Sequence, residues 1–334
     1  MSTTVAIIGS GFGMYGLLPA FSSVKSCVVV SICGKNSPRM EMYCKKFGIK
    51  RYTDWKKMLQ EEDIDAVAIA VIPKYQYEIA KYALENNIAV FAEKPMTIDV
   101  ETSLKLSELA KEKKLPNMMD FIFPEIPEWQ EAKKIIQNDS IGKITNIDVK
   151  WQFLSYDLKN SIQSWKTDTE KGGGALSFYF THVFYYLEYF LGKIKNLECN
   201  LQKSEKSLNN GETTIDMKLV FDNGCLGNVS LNIDDNHQIH SIKFNGTSGK
   251  LILENNSDQI VDNFDLNLVT NEKEEKIRPN LSYNYECDDS DDPRVKAIVS
   301  LVEKFIRWCA NDVPSRPNFQ DGLRVQQLIE SARN

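Results

Sequence analysis

The stretch Val5–Met14, VAIIGSGFGM, decides the fold of this chain of 334 residues. Its apolar first half predicts a buried strand, which breaks at Gly9 and Gly11 and runs into a helix-compatible stretch around Leu17. Glycine permits a tight turn and lets an anion approach the N–H groups at a helix N-terminus. Met14 stands where the dinucleotide-binding fingerprint has a third Gly or Ala, so the match is incomplete, yet the stretch predicts a turn that holds the diphosphate of a dinucleotide. The residues predicted to surround this diphosphate are Gly9, Ser10, Gly11, Phe12 and Gly13.

Around this turn, short apolar runs alternate with amphipathic stretches from residue 4 to about residue 120. The apolar runs predict strands buried on both faces of a parallel sheet, at Val5–Ile8, Val28–Ile32, Ala66–Val71 and Ala89–Ala92. The amphipathic stretches predict helices at Arg39–Phe47, Asp54–Gln60, Tyr75–Glu85 and Val100–Lys113. This alternation predicts an α/β domain over residues 1–121, a doubly wound parallel sheet of the Rossmann type.

Past Phe121 the pattern changes to a run of strands. Helices are predicted at Glu128–Ile136 and Ala175–Leu191, and strands at Ile144–Phe153, Asn196–Leu201, Thr213–Phe221, Cys225–Asn232, His240–Asn245 and Lys250–Leu253. Asp222–Gly224 is a hairpin signal between two of these strands. The terminal segment Asp292–Asn334 is predicted to be helical, with Pro293 in its first turn. We therefore predict a second α+β domain over residues 122–334, with a largely antiparallel open sheet and a C-terminal helix that can pack back on the first domain.

Composition excludes several functional classes. Lys and Arg number 40 against 46 Asp and Glu, a net charge of −6, so the chain lacks the positive field that nucleic-acid binding needs. No apolar run approaches the roughly 20 residues that cross a bilayer, and the N-terminus has no basic segment typical of a signal peptide. The seven scattered cysteines predict reduced thiols in a cytoplasmic protein. The acidic run Asp288–Asp292 is interpreted as a solvated loop before a helix, not as a metal site.

The end of the second predicted strand bears on the choice between NAD and NADP. An acidic residue there would bind the ribose 2′-OH of NAD, but the strand ends in Cys33, Gly34, Lys35 and Asn36. Gly34 leaves room for a 2′-phosphate, Lys35 supplies a cation, and Arg39 one helical turn later can add a second. These residues favour NADP(H), with NAD(H) as the alternative.

Four motifs together resemble the glucose–fructose oxidoreductase / inositol dehydrogenase (Gfo/Idh/MocA) family. They are Phe91–Pro95 (FAEKP), Ile141–Ile144 (IGKI), Gly172–Leu176 (GGGAL) followed by His182, and Phe319–Val325 (FQDGLRV). The resemblance covers essentially the whole chain. It implies hydride transfer between a nicotinamide and a sugar, polyol or related alcohol, and a C-terminal sheet that often mediates dimers.

The resemblance also implies roles for single residues. Lys94 corresponds to the lysine that hydrogen-bonds the reacting oxygen, and His182 to the histidine that often serves as acid or base. The predicted cofactor contacts extend to Val71, Ile72, Gln76, Glu93 and Lys94. Independently of the family, an ammonium can stabilise negative charge on a carbonyl oxygen, and a group that titrates near neutrality can supply the proton. Without the resemblance, a lone histidine in so apolar a stretch would be interpreted as a core residue.

The chain departs from the family pattern at several positions. Phe178 and Phe180 replace an Asp and a Gly, Tyr185 replaces a second Asp, Gln76 replaces a His, and Pro124 replaces an Arg. The missing Asp removes one group from the acid–base set, so that Lys94 and His182 act alone or with Tyr179 as a hydroxyl donor, or the pocket takes a flatter, less polar substrate. The extra aromatic side chains fit stacking against a ring, although core packing is the simpler interpretation.

Two further features complete the predicted site. Trp165 and Lys166 precede the glycine run and are candidates for substrate contact, with Lys166 suited to an anionic group. His237 and His240 are three residues apart in a predicted strand, where they face opposite sides, so we predict no metal site.

Two functional hypotheses emerge. The first is an oxidoreductase that acts on a small carbohydrate-like substrate, prefers NADP(H) and forms a homodimer or homotetramer through the C-terminal sheet, without nucleic acid or membrane as partner. The alternative is a dinucleotide-binding protein without turnover that acts as a sensor or binds a partner, motivated by Phe178 in place of the Asp.

Overall fold

The computed structural model describes residues 2–283, 285 and 292–334. Contacts divide the chain into two compact units: Met1–Ile122 with Tyr283–Gln327, and Phe123–Ser282 with Leu328–Asn334. Cys287 and the predicted acidic loop lie outside the described residues, apart from Asp292. The six cysteines in the described ranges form no disulfide with one another. Among the helices in these ranges, none has both the length and the apolar character of a membrane crossing.

The first unit is built on a parallel sheet of six strands in the order β3-β2-β1-β4-β5-β6. The strands are β1 Thr3–Ile8, β2 Cys27–Cys33, β3 Lys50–Tyr52, β4 Ala66–Ile69, β5 Ala89–Ala92 and β6 Asn117–Met119. The helices between them are α1 Leu18–Ser23, preceded by a wide helical turn at Gly13–Leu17, then α2 Pro38–Phe47, α3 Trp55–Glu61, α4 Pro73–Glu85 and α5 Val100–Lys113. The predicted Rossmann-type sheet is confirmed.

Side-chain caps explain why several of these helices begin where they do. The Ser37 hydroxyl accepts a hydrogen bond from Met40 N, the Asp54 carboxylate accepts from Lys56 N, and the Asp99 carboxylate accepts from Thr102 N. Each cap satisfies an N–H group that has no partner within its helix. The caps therefore fix the first turns of α2, α3 and α5.

The second unit is built on an eight-stranded sheet in the order β14-β13-β12-β11-β7-β10-β9-β8. Its helices are α6 Pro127–Gln137, α7 Tyr156–Lys159, α8 Ala175–Phe178 and α9 Phe180–Leu191. Its strands are β7 Ile144–Leu154, β8 Ile194–Gln202, β9 Thr214–Phe221, β10 Leu226–Asn232, β11 Asp234–Gly246, β12 Gly249–Asn255, β13 Asp265–Thr270 and β14 Glu274–Ile277. All neighbouring strands are antiparallel except β7 and β10, which confirms a largely antiparallel sheet.

The structure corrects two details of the sequence interpretation and confirms that the terminal segment is helical. The single helix predicted over Ala175–Leu191 is interrupted at Tyr179, which separates α8 from α9. The helical terminal segment consists of α10 Val295–Asn311 and α11 Phe319–Arg333. Pro293 lies two residues before α10 and not in its first turn, because Arg294 is the capping residue of that helix.

An aromatic cluster fills the core of the second unit and contains His240. The His240 ring stacks on Trp151 at 4.6 Å between centroids and lies 3.3 Å from the Tyr186 hydroxyl. Burial lowers the pKa of His240 to about 3, because the charged imidazolium would lose its hydration in the core. His237, on the same strand, is exposed.

This burial predicts a specific acid sensitivity. His240 stays neutral in the folded state, but in the unfolded state it takes up a proton below its unfolded pKa of about 6.5. Because protonation then favours the unfolded state, the free energy of unfolding falls by about 2 kcal/mol between pH 7 and pH 5. In urea titrations at these two pH values, we expect His240→Phe to lose about 2 kcal/mol less unfolding free energy than the wild type. The matched change His237→Phe should keep the wild-type pH dependence. Equal pH dependence in all three proteins would contradict a neutral His240.

Candidate active site

The glycine turn after β1 is fixed by close backbone contacts. Gly9 N donates a hydrogen bond to Cys33 O at 2.8 Å, and Ala70 N donates to Ile8 O at 2.8 Å. Gly9 has a φ of +140°, and a Cβ atom there would lie 2.2 Å from Ala70 O. Only glycine fits both the conformation and the space, so the chain leaves the sheet sharply between β2 and β4.

Beyond Gly9 the turn presents backbone donors. In the described part of the chain, the N–H groups of Gly11, Phe12 and Gly13 make no hydrogen bond. A Cβ atom added at Gly11 would meet no atom within 4 Å, so the space beside it is open. Unpaired N–H groups at the start of a helix attract an anion, and the open space admits one. These residues therefore fit the diphosphate of a dinucleotide.

The end of β2 carries the cations that sequence analysis assigned to a 2′-phosphate. Lys35, Asn36 and Arg39 are exposed there, and Arg51 of β3 donates a hydrogen bond to Asn36 Oδ1 at 2.7 Å. The Arg39 guanidinium lies 5.5 Å from the centre of the Tyr15 ring. Sequence reasoning missed Arg51, because β3 is a three-residue strand with two exposed positions and no apolar pattern.

Close packing against neighbouring side chains explains why position 34 is glycine, independently of any room for a phosphate. A Cβ atom there would lie 2.7 Å from Ser10 Cβ and 2.9 Å from Met40 Cε. The end of β2 therefore packs directly against the glycine turn, and any side chain at this position would push the two apart.

After β4, Val71 and Ile72 lie half-buried before α4, and Gln76 is buried within it. The Gln76 side-chain amide donates hydrogen bonds to the carbonyl oxygens of Glu93, Pro95 and Met96, at 2.6, 3.1 and 3.0 Å. Gln76 is predicted as a cofactor contact, and in the structure its side chain supports the backbone of the turn that carries Lys94. Its multiple donors hold the backbone of that turn in place.

Lys94 follows β5 in the half-buried turn Glu93–Pro95. Lys94 N donates a hydrogen bond to Glu93 Oε2 at 3.0 Å, and the Lys94–Pro95 peptide bond is cis. Asp120, which follows β6, is almost wholly buried. Loss of hydration raises the pKa of Asp120 well above its usual value, and the neighbouring Glu93 charge raises it further, whereas Lys94 and Arg294 lower it.

Two carboxyl groups therefore lie close to Lys94. The Glu93 charge disfavours ionisation of Asp120, whereas the Lys94 ammonium favours it. Sequence reasoning missed Asp120, because nothing in the residues around it distinguishes a buried acid from a strand-end residue on the surface.

The C-terminal motif Phe319–Val325 supports the same edge of the sheet. A Cβ atom at Gly322 would lie 2.7 Å from Met96 Sδ and 3.1 Å from Met119 Sδ, so α11 packs closely against the turn after Lys94. Phe319 N donates a hydrogen bond to Asn117 Oδ1 at 2.8 Å. The motif is thus structural in this unit.

In the second unit, the glycine run supports the loop that holds Trp165 and Lys166. A Cβ atom at Gly173 would lie 2.1 Å from Trp165 O, and Gly174 N donates a hydrogen bond to Lys166 O at 2.8 Å. Buried Glu212 accepts a hydrogen bond from Leu176 N at 2.8 Å. Contacts on both sides therefore fix the run, and Glu212 is a supporting residue that sequence reasoning missed.

The side chains after the run form a half-buried aromatic surface. Phe178 contacts Trp165 edge-on at 5.4 Å and Tyr179 at 4.7 Å, and Tyr179 contacts Phe153 at 5.0 Å. Lys166 Nζ lies 5.3 Å from the centre of the Phe178 ring. At position 178, where the resemblance implies an Asp, the chain thus has a ring that Lys166 covers. The predicted substrate residues Trp165, Lys166 and Tyr179 come together here.

His182 lies on α9, four residues after Phe178. It is buried, with 8% of its surface exposed, and its ring contacts Phe123 edge-on at 5.1 Å. His182, Phe178 and Tyr179 belong to the second unit, whereas Lys94 and the glycine turn belong to the first. Throughout the described ranges, no group of three His, Cys, Asp or Glu side chains is arranged to hold a metal ion.

Two family models match consecutive parts of the chain. The model of the NAD-binding Rossmann fold of an oxidoreductase family, GFO_IDH_MocA, matches residues 3–121. The model of the C-terminal alpha/beta domain of the same family matches residues 133–334. Together they account for nearly the whole chain.

Individual proteins show the same similarity. An uncharacterized oxidoreductase of Synechocystis sp. is 32% identical over 199 residues, which are 59% of this chain and about half, 54%, of that protein. The structure of a levoglucosan dehydrogenase in complex with NADH and L-sorbose has a TM-score of 0.83 at 21% identity, covering 100% of this chain and 96% of its own. KijD10, a 3-ketoreductase from Actinomadura kijaniata in complex with NADP and TDP-benzene, has a TM-score of 0.81 at 18% identity, covering 100% and 97%. At these identities the two structures show a shared fold.

Proposed function

The chain belongs to the Gfo/Idh/MocA family of oxidoreductases, and we propose that it transfers a hydride between a nicotinamide dinucleotide and a sugar, polyol or nucleotide-linked keto-sugar. One solved relative holds NADH with L-sorbose and another holds NADP with TDP-benzene, which supports a dinucleotide and a carbohydrate-like substrate. The observation that carries the proposal is that the glycine turn and Lys94 lie at the same carboxyl edge of one parallel sheet. Ligands of open α/β sheets bind at that edge.

In this proposal the dinucleotide lies along the predicted Rossmann domain, residues 1–121. The N–H groups of Gly11, Phe12 and Gly13 bind its diphosphate, and Lys35 and Arg39 lie at its adenosine end. Val71, Ile72 and the turn at Glu93 and Lys94 border its nicotinamide end. Gln76 supports that turn from behind. A bound nicotinamide supplies or accepts the hydride.

Lys94 and His182 are the catalytic residues of the proposal. The Lys94 ammonium donates a hydrogen bond to the reacting oxygen and stabilises negative charge as it develops there. The His182 imidazole gives a proton to that oxygen during reduction and takes it back during oxidation. Residues 122–334 supply the substrate contacts Trp165, Lys166 and Tyr179, and the ring surface beside Lys166 suits a substrate with a flat apolar part and an anionic group.

We expect NADPH to bind more tightly than NADH, by roughly tenfold. Lys35, Arg39 and Arg51 place positive charge at the end of β2, where residues 33–36 include no carboxylate to bind a free 2′-OH. Titration calorimetry of Arg39→Gln should show weaker NADPH binding with NADH binding unchanged, whereas Lys46→Gln on the same helix should change neither. Tighter binding of NADH by the wild type would contradict this preference.

Turnover separates the proposal from its alternative, a dinucleotide-binding sensor. Both predict uptake of a nicotinamide dinucleotide, but only the oxidoreductase consumes NADPH or NADH when keto-sugars, including nucleotide-linked ones, are added as a panel. Absorbance at 340 nm measures this directly. The alternative is less favoured, because both proposed catalytic residues are present. Failure to take up either dinucleotide would overturn the proposal as a whole.

The proposal also includes a homodimer or homotetramer formed through the eight-stranded sheet. One face of that sheet carries a polar network in which the Asp148 carboxylate accepts hydrogen bonds from the side-chain amides of Asn146, Asn228 and Asn245, at 2.7, 2.9 and 3.0 Å. Such a face can pair with another polar surface. A cytoplasmic location stays a prediction that rests on the cysteine pattern.

A further inference from the structure

Arg294 brings a cation from the C-terminal part of the chain to the glycine turn. Its guanidinium carbon lies 4.3 Å from the centre of the Phe12 ring, within the distance of a cation–π contact. A Cβ atom at Gly16 would lie 2.5 Å from the same ring, so the Phe12 side chain rests on the backbone of the helical turn Gly13–Leu17. Arg294 is therefore held at a fixed place beside the turn, although 282 positions separate it from Phe12 in the sequence.

An ion pair with Asp292 fixes the orientation of the guanidinium. Arg294 Nε donates to Asp292 Oδ1 at 2.8 Å, and Arg294 Nη2 donates to Asp292 Oδ2 at 2.7 Å. This two-point pairing is rigid, and it raises the pKa of Arg294 further above its usual value. The pairing does not use the N–H donors of Nη1. About a third of the side chain, 30%, is exposed.

The glycine turn itself lacks a cationic side chain. A diphosphate carries about two negative charges, whereas the start of a helix contributes roughly half a positive charge. Residues 9–13 contain no Lys or Arg. Arg294 lies over Phe12, whose own N–H is one of the donors proposed for the diphosphate, and so it is placed to supply the missing charge.

We propose that Arg294 binds the diphosphate of the dinucleotide through its Nη1 donors, with Asp292 and Phe12 holding the guanidinium in position. This inference rests on the proposed function. It makes the dinucleotide site depend on the segment before α10, which no motif in the sequence connects with the glycine turn.

Ligands that differ in their phosphates test the proposal. We compare ADP-ribose, which has the diphosphate, with 2′-AMP, which keeps the adenosine but has no 5′-phosphate, by titration calorimetry on the full chain. Arg294→Gln should weaken ADP-ribose and NADPH binding by roughly 10- to 100-fold and change 2′-AMP binding less than twofold. Arg294→Lys, which keeps the charge but loses the planar pairing, should weaken ADP-ribose binding by a smaller factor. Its affinity gives the answer if the Gln variant does not fold.

Three outcomes would overturn the inference. ADP-ribose binding at wild-type affinity in Arg294→Gln would show that the guanidinium does not touch the diphosphate. Equal losses for ADP-ribose and 2′-AMP would show that Arg294 acts on the fold alone. If the Gln variant does not fold, undiminished ADP-ribose binding by Arg294→Lys would also show that the guanidinium does not touch the diphosphate. These results differ from failure of the proposed function, in which the wild type would take up neither NADPH nor NADH.

Discussion

Replacing Lys94 by alanine is expected to lower kcat for reduction of a keto-sugar by about 10³-fold, with the Kd for NADPH changed less than threefold. The ammonium acts on charge that develops on the reacting oxygen, so its loss raises the barrier more than it weakens ground-state binding. Lys94 also offsets negative charge at the Asp120 carboxyl group, and this interaction is lost with the ammonium. Steady-state rates and calorimetric titration measure the two quantities separately.

Two further variants make this result specific. Lys94→Arg keeps a positive charge that can stabilise the oxygen, so it should recover part of the lost rate. Lys111→Ala removes an exposed lysine from α5 in the same unit and should keep wild-type kcat. A Lys94→Ala rate within threefold of wild type would refute the mechanism while leaving dinucleotide binding intact.

The parallel strands and the positions of Gly9 and Lys94 could be predicted from the sequence, because buried parallel strands are continuous apolar runs. Val5–Ile8 and Ala89–Ala92 stand out in this way, and the residues directly after each run must lie at the carboxyl edge of the sheet. Strands β3, β6, β13 and β14 were missed. Three of them, β3, β6 and β14, have only three or four residues, and β13 begins and ends with polar residues. The local sequence pattern does not identify a strand that forms only because a neighbouring strand pairs with it.

The supporting residues could not be predicted, because each acts through a partner far away in the sequence. Gln76 holds the turn at Glu93 through three carbonyl oxygens, and Arg294 reaches Phe12 across most of the chain. The family resemblance suggested Gln76 as a ligand contact, because a resemblance matches residues one position at a time and does not show which atoms each side chain contacts. Hydrogen-bond partners become visible only when the backbone path is known. The residues that touch a ligand were thus easier to propose than those that place them.

Replacing Gly9 and Gly11 separately by alanine is expected to divide folding from binding. At Gly9 a methyl group would lie 2.2 Å from Ala70 O on a backbone with a φ of +140°, so Gly9→Ala should lose about 3 kcal/mol or more of unfolding free energy. At Gly11 nothing lies within 4 Å of the added Cβ, so Gly11→Ala should stay within about 1 kcal/mol of wild type.

The same open space makes Gly11 the sharper test of where the dinucleotide lies. If the diphosphate occupies it, the Gly11→Ala methyl group takes its place, and the Kd for NADPH should rise at least roughly tenfold in a protein that is still folded. Urea titration measures the stability of both variants and calorimetry measures the binding. Wild-type NADPH affinity in Gly11→Ala would place the diphosphate elsewhere, whereas a fully stable Gly9→Ala would show that the chain can leave β1 by another path. Neither substitution changes Lys94 or His182. Loss of NADPH binding in Gly11→Ala would therefore identify the glycine turn as the dinucleotide-binding site, without any assumption about the chemistry of hydride transfer.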